Sequence, residues 1–224
     1  RDERTGDMGA GVQSHWFSVG SMVPWAQAGV GVVVTQSFTN PAFGPQGLGM
    51  LAKGRSPREV VESMVAKDEG RDFRQLAVLD SGGETYAYTG KRCVAEAGHV
   101  NGRNFSVQAN MMLKDTVWDA MAEAFQGADG DLADRIMAAL LAAEKEGGDA
   151  RGSQSAALLI VRGRATGQVW KDRLIDLRVE DHRAPLKEMA RLLKVHRAYE
   201  SMDAGDTALQ KGDMAAALEH YSTA

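Results

Sequence analysis

The chain has 224 residues, 44% hydrophobic and 25% charged, with a formal net charge of −4. This is an ordinary globular balance that excludes wholesale disorder and argues against a general nucleic-acid binder, which needs a concentrated basic face. The single cysteine, Cys93, excludes an intramolecular disulfide and a cysteine-built metal cage.

The opening RDERTGDMGAGVQSH places a polar turn at Thr5-Gly6-Asp7 between two extended stretches. It reads as the second half of a hairpin whose first strand lies mostly before Arg1. No basic-then-apolar leader is visible, no apolar run approaches the ~20 residues of a membrane span, and a cytoplasmic, soluble protein is expected. Strands are predicted over Met8–Ser14 and 28–37, both without polar alternation and so buried on both faces. Asn40 and Pro41 suit the cap and first turn of a helix. Ser56, Pro57 and Glu59 form a clearer start, a capping box ahead of Val60, Val61, Met64 and Val65.

A β region follows. RQLAVLDSGGETYAYTG reads as two strands around Ser81-Gly82-Gly83, and HVNGRNFSVQANMM as a second hairpin turning at Asn101-Gly102. Helices are predicted over Lys114–Gln126 and Asp131–Glu146, then strands SAALLIVRG and RLIDLRVED, with Pro185 opening a final helix. Asp181 suits its cap. Strands and helices come in groups rather than alternating singly, which suits a layered α+β sandwich with antiparallel sheets. From residue 186 the composition turns helical, with a Lys211-Gly212-Asp213 break before MAAALEHY. This resembles one tetratricopeptide unit, which cannot bury its own face, so residues 186–224 are expected to form a docking tail behind a 1–185 domain.

Five stretches, VQSHWFSVGSMVPWAQAGVGVVVTQSFTNPAFGPQGL, AYTGKRCVAEAGH, FSVQANMM, GGDARGSQSAALLIV and DRLIDLRVEDH, together resemble the proteins grouped as domain of unknown function 1028. The resemblance runs to about residue 183. It implies an N-terminal-nucleophile (Ntn) hydrolase fold, a four-layer αββα sandwich, with a short helical C-terminal extension that is tetratricopeptide-like or peptidoglycan-binding. In Ntn hydrolases the first residue of the mature chain attacks an amide carbonyl and its own α-amine is the base, with an ordinary pKa near 7.7–8.0. Arg1 cannot be that nucleophile, so a Thr or Ser upstream of it is expected.

The remaining site is nominated around that expectation. His15 in SHWFS either contacts substrate and tunes the amine or is a structural histidine. Asn110 in QAN either stabilises an oxyanion or sits in a turn, and Thr35 and Gln36 stand at a strand end. Asp149 and Arg151 either pair with each other, or Arg151 holds a substrate carboxylate through two parallel hydrogen bonds, with Gln154 and Ser155 adding neutral groups at the strand mouth. Asp176, Asp181 and His182 have metal-compatible chemistry but project differently along a strand, and a Cys93–His99 pair lacks a third orienting group. The expected function is an Ntn-type amidohydrolase using His15, Asn110 and Asp149 catalytically. Gln36, Arg151, Gln154 and Ser155 are expected to bind a small amide or peptide-like substrate, without cofactor, metal, nucleic acid or membrane. The alternative is a non-catalytic Ntn-fold scaffold whose tail recognises a protein or peptidoglycan partner. A homodimer through the helical faces is the expected assembly.

Overall fold

Side-chain parity along one strand organises the molecule. In a computed structural model describing residues 1–224, strand β3 (Gly31–Ser37) buries both faces, and each face serves a different cluster. Val33 packs with Val60, Val61 and Met64 of helix α2 (Pro57–Ala66) and with Phe43, Leu48 and Leu51 of α1 (Phe43–Leu51). Val32 and Val34 turn the other way, toward Met8 and Val161. Strand β4 (Arg74–Asp80) repeats the pattern: Leu76 and Val78 face the helices, Ala77 and Leu79 the interior. Period-two alternation therefore sorts one apolar run into two cores.

β3 and β4 lie between β2 (Pro24–Gln27) and β5 (Thr85–Thr89) in an antiparallel sheet ordered β2-β3-β4-β5. A second antiparallel sheet is ordered β1-β8-β9, from Met8–Ser14, Ser155–Val161 and Arg173–Val179. β6 (Gly98–Gly102) and β7 (Phe105–Ala109) form a separate two-stranded ribbon. On β8, Val161 joins the interior cluster, while Ala156, Leu158 and Ile160 meet helices α3 (Val117–Gly127), α4 (Leu132–Lys145) and α6 (Pro185–Gln210). Each fully buried Leu or Met here contributes about 1.5–3 kcal/mol of apolar burial. The chain thus combines several antiparallel sheets with seven helices, α5 (Val169–Asp172) being a single turn and α7 (Met214–Ser222) the last. No helix is long and apolar enough to cross a membrane.

The capping box at Ser56 forms as its sequence requires: Glu59 N donates to Ser56 Oγ, and Ser56 N to Glu59 Oε2. Elsewhere the structure departs from the sequence expectations. α1 starts at Phe43, because Asn40 Oδ1 accepts from Ala42 N and forms a turn ahead of the helix. The ribbon turns at Arg103-Asn104 rather than Asn101-Gly102, since Gly102 pairs with Phe105. Asn104 takes φ 67° there, a value Asn tolerates, and is tied down by its N–H to Gly83 O and its Nδ2 to Glu3 Oε1. His182 Nδ1, not Asp181, accepts from Ala184 N ahead of α6. α6 then runs unbroken past residue 186, and its first turns belong to the body: Leu186, Met189 and Leu193 sit in the largest core. Beyond Leu193 only Gly205 of α6 and Ala217 of α7 are buried.

Candidate functional site

Strand β1 pairs with β8 along one edge and with nothing along the other; β7 pairs only with β6. The two unpaired edges face a shared cavity of about 560 Å³. Its floor comes from Val32, Val34 and Leu79, its roof from Met121, Phe125, Ile136 and Leu140. For this reason β1, expected to be buried on both faces, is mostly half-exposed. Gly11 of β1 is required by the roof, because a Cβ there would stand 2.4 Å from Ile136 Cγ2. The middle of the slot is apolar and polar groups gather at its ends. At one end, Arg1 N donates to Asn104 O (2.7 Å).

The other end is richer. The loop after α4 bends through Gly147, Gly148 and Gly152 at φ 114°, 60° and 103°, conformations that glycine adopts without strain. It docks on the segment after β7: Ala150 N donates to Met111 O (2.8 Å) and Leu113 N to Gly148 O (3.1 Å). This carries Asp149 into the cavity wall. Its carboxylate accepts from Arg151 Nε (3.0 Å), Nη2 (2.6 Å) and main-chain N (2.9 Å), and from His15 N (3.4 Å). Burial pushes the Asp149 carboxyl up, but the Arg151 side-chain and backbone hydrogen bonds more than offset this and hold it below its ordinary value. The Asp149 side chain is 5% exposed, whereas that of Arg151 is 40% exposed. A guanidinium has two forked edges. Asp149 takes the Nε–Nη2 edge; the end-on Nη1–Nη2 edge has no protein partner.

Across the slot stands a carboxamide hub centred on Gln75, fully buried on the interior face of β4. The two hydrogens of Gln75 Nε2 are shared among Ala109 O (2.9 Å), Thr89 Oγ1 (2.9 Å) and the more distant Gly98 O (3.2 Å). Its Oε1 accepts from Gln36 Nε2 (2.7 Å) and Asn110 Nδ2 (3.0 Å). Thus one side chain fixes both cavity-lining carboxamides and clamps the β6–β7 ribbon to the four-stranded sheet. Next to Gln36, Ser37 adopts φ 65°, and Met111 beside Asn110 adopts 60°. Both line the cavity, and such left-handed backbone in residues other than glycine concentrates at functional sites. Ser37 Oγ is buried without a hydrogen-bond partner. Arg74, paired to Asp68 at 2.6 Å, reaches over to the Phe38 carbonyl and braces this turn.

Of the residues nominated from sequence, Gln36, Asn110, Asp149 and Arg151 line this one cavity. His15 does not line it, although its neighbours Ser14 and Trp16 do; its main-chain N–H is bound to Asp149, its ring lies near Gly152, and the ring makes no hydrogen bond. Gln154 and Ser155 are placed outside the cavity. Gln154 Nε2 donates to Asp181 Oδ1 (3.1 Å), and the buried Ser155 Oγ joins the Trp16 carbonyl and Val19 N–H (3.1 Å), stitching β8 to the chain after β1. Ser155 belongs to β8, which pairs with the edge of β1 opposite the slot, and no β8 residue lines the cavity. Thr35 Oγ1 donates to Asn40 O (3.3 Å). Cys93 Sγ donates to Arg74 O and His99 Nδ1 meets Thr89 Oγ1 (2.9 Å), so the two do not pair. Asp176 binds Arg173 and Arg178, and no group of three or more His, Cys, Asp or Glu side chains gathers in metal-holding geometry. Sequence reading missed Gln75, Ser37 and Arg74. The signal for Gln75 was present, because a lone polar residue in a strand buried on both faces must have partners.

The model of the family described as "Family of unknown function (DUF1028)" matches residues 1–189. The crystal structure of protein SPO2555 from Silicibacter pomeroyi, itself described by the DUF1028 family model, is similar to this chain with a TM-score of 0.78 and 28% sequence identity. That likeness covers 87% of this chain and 82% of the other. No curated protein matches the chain.

Proposed function

The chain belongs to the DUF1028 family, and from that premise we propose that it is an amidohydrolase of the N-terminal-nucleophile type, with its reaction centre at the polar end of the slot. The single observation that carries this reading is the joint one of geometry and chemistry. Two unpaired strand edges flank a cavity, and Gln36, Asn110, Asp149 and Arg151, distant in sequence, meet at one end of it. Helices α1 and α2 cover one sheet while α3, α4 and α6 cover the other. This packing supports reading the body as an αββα sandwich.

The open edge of β1 leaves its main-chain groups free to pair with a further strand. Asp2 N donates to Asp7 O (2.8 Å), so the chain before Arg1 would continue antiparallel to β1 along its unpaired edge. Counting back in that register from the Asp2–Asp7 pair, Arg1 stands opposite Met8, and roughly the sixth residue before Arg1 comes level with Ser14 at ~3.4 Å per residue. That level is the polar end. A Thr or Ser there, at the start of the mature chain, attacks the amide carbonyl with its hydroxyl while its α-amine takes the proton. The second hydrogen of Asn110 Nδ2, the first being given to Gln75, is available to the oxyanion. Collapse breaks the C–N bond, the amine leaves with the proton, and water then hydrolyses the ester.

Intact-mass analysis of the natural full-length protein tests this reading: a free Thr, Ser or Cys at the chain start is expected, and its replacement by Ala should abolish hydrolysis of an acyl-amide panel. A retained initiator Met or a blocked amine overturns it.

A further inference from the structure

Resting on the amidohydrolase reading for the scissile bond, we propose that the rim of the cavity selects N-acyl amino acids bearing a large apolar side chain, with Arg151 receiving the free carboxylate and Trp16 and Phe38 receiving the apolar group.

The rim is continuous from contact to contact. Phe38 follows Ser37 and Gln36; Gln36 shares Gln75 with Asn110; Met111 bonds Ala150; Asp149 holds Arg151 and the His15 amide; Trp16 comes next. Along this arc three kinds of group alternate. The first is cationic. The end-on edge of Arg151 offers two parallel N–H donors, the geometry of a carboxylate. Asp149 does not compete for that ligand, because its oxygens are occupied by Arg151 and His15 and its side chain is only 5% exposed. It acts as a positioning residue that fixes the fork.

The second kind is apolar. Trp16 and Phe38 line the cavity yet stand 58% and 55% exposed. Neither is loose: the Trp16 carbonyl is held by Ser155 Oγ, and the Phe38 main chain by Phe73 O and Arg74. Two half-exposed aromatic side chains on an anchored main chain at a cavity mouth, the Phe38 ring packed edge-on against Phe73, are a surface for an apolar ligand group. The third kind is the pair of carboxamides, Gln36 and Asn110, which complement an amide's N–H and C=O. A molecule joining carboxylate, amide and apolar side chain matches all three; a neutral amide leaves the Arg151 edge unpaired. Hydrolysis adds water across the amide C–N bond and releases a free amino acid and a carboxylic acid.

The test is calorimetric titration of the natural full-length protein with N-acetyl-L-phenylalanine, its neutral carboxamide and N-acetylglycine. The acid should bind at least roughly tenfold tighter than the carboxamide, the scale of a charge-assisted forked contact, and tighter than N-acetylglycine. Arg151→Lys, which keeps the charge but not the fork, should erase most of the acid-over-carboxamide ratio. Trp16→Ala should erase the preference for phenylalanine over glycine. Asp149→Asn should lower the acid-over-carboxamide ratio at unchanged carboxamide affinity, a change that general destabilisation does not produce. Equal affinity for acid and carboxamide, or no saturable binding by the folded native protein, overturns the proposal without recourse to any variant. Selective binding without turnover removes the hydrolase reading and keeps the site, whereas hydrolysis of acid and carboxamide at equal rates removes the site and keeps the hydrolase.

Discussion

Replacing Gln75 by Leu should destabilise the protein far more than any other polar-to-apolar change at the site. Leu fills a similar volume, so packing is nearly conserved and the loss is that of five hydrogen bonds. At about 1 kcal/mol net for each, the ceiling is on the order of 5 kcal/mol. Gln36 and Asn110 border the cavity and regain water there, and Thr89 keeps its contact with His99. The carbonyls of Gly98 and Ala109 lose a donor in a drier place, leaving a net cost of ~3 kcal/mol. For a chain of this length that is roughly 6–12 °C in melting temperature. Differential scanning calorimetry of Gln75→Leu beside Gln36→Leu provides the comparison. Gln36 is half-buried and makes two side-chain bonds, one of them 3.5 Å long, so its variant should lose only about a third as much. A Gln75→Leu melting temperature within 2 °C of the native value would refute the hub as a structural clamp.

Gly11→Ala should cost about 1–3 kcal/mol by overpacking against Ile136 and Leu140, and Gly11→Ala with Ile136→Ala should cost less than the sum of the two, as measured by chemical denaturation. Burial holds the His99 imidazole below its ordinary pKa, so the unfolded chain binds a proton near pH 6.5 that the folded one refuses. Stability should therefore fall as pH drops below about 6.5, levelling at the folded pKa, and His99→Gln should flatten that slope; an unchanged slope refutes the assignment. Limited trypsinolysis should cut at Lys211 before any site in the body, because beyond the Arg197 pairs with Asp131 and Asp134 the tail buries little. First cleavage at Arg135 of α4 or Arg178 of β9 would contradict this.

Where the sequence carried uninterrupted local signals, it fixed the elements closely. β1 coincides with the expected Met8–Ser14, and β8 starts at Ser155 as expected but ends at Val161, two residues short of the predicted SAALLIVRG run. Asp131 caps α4 through a reciprocal pair with Asp134. Competing signals misled at Asn101-Gly102, where a favourable local turn dipeptide yields to the pairing of Val100 with Val107 and to the tertiary anchors of Asn104. β2 escaped notice because Pro24 opens it and it is only four residues long. At the site, Asp149 and Arg151 were legible as a pair, since two residues of separation in a glycine loop let them meet. The cavity itself was not, because it is bounded by strand edges whose pairing depends on segments more than a hundred residues apart.

The arrangement of the Asp149–Arg151 pair bears on why the polar end exists at all. Burying a carboxylate carries a desolvation cost that pairing with arginine roughly returns, so such a pair adds little to stability over apolar residues of equal volume. Here the acid is enclosed and the base extends half into the cavity mouth, so the cost of burying Asp149 secures the direction in which Arg151 points. The same inequality recurs across the slot, where Gln75 is fully buried and satisfied while the carboxamides it holds, Gln36 and Asn110, face the cavity. Twice, then, a buried polar group is spent on orienting an accessible one. Folding accounts for Gln75 as the clamp between ribbon and sheet; on the proposed reading the same bonds also hold the accessible donors in place before a ligand arrives.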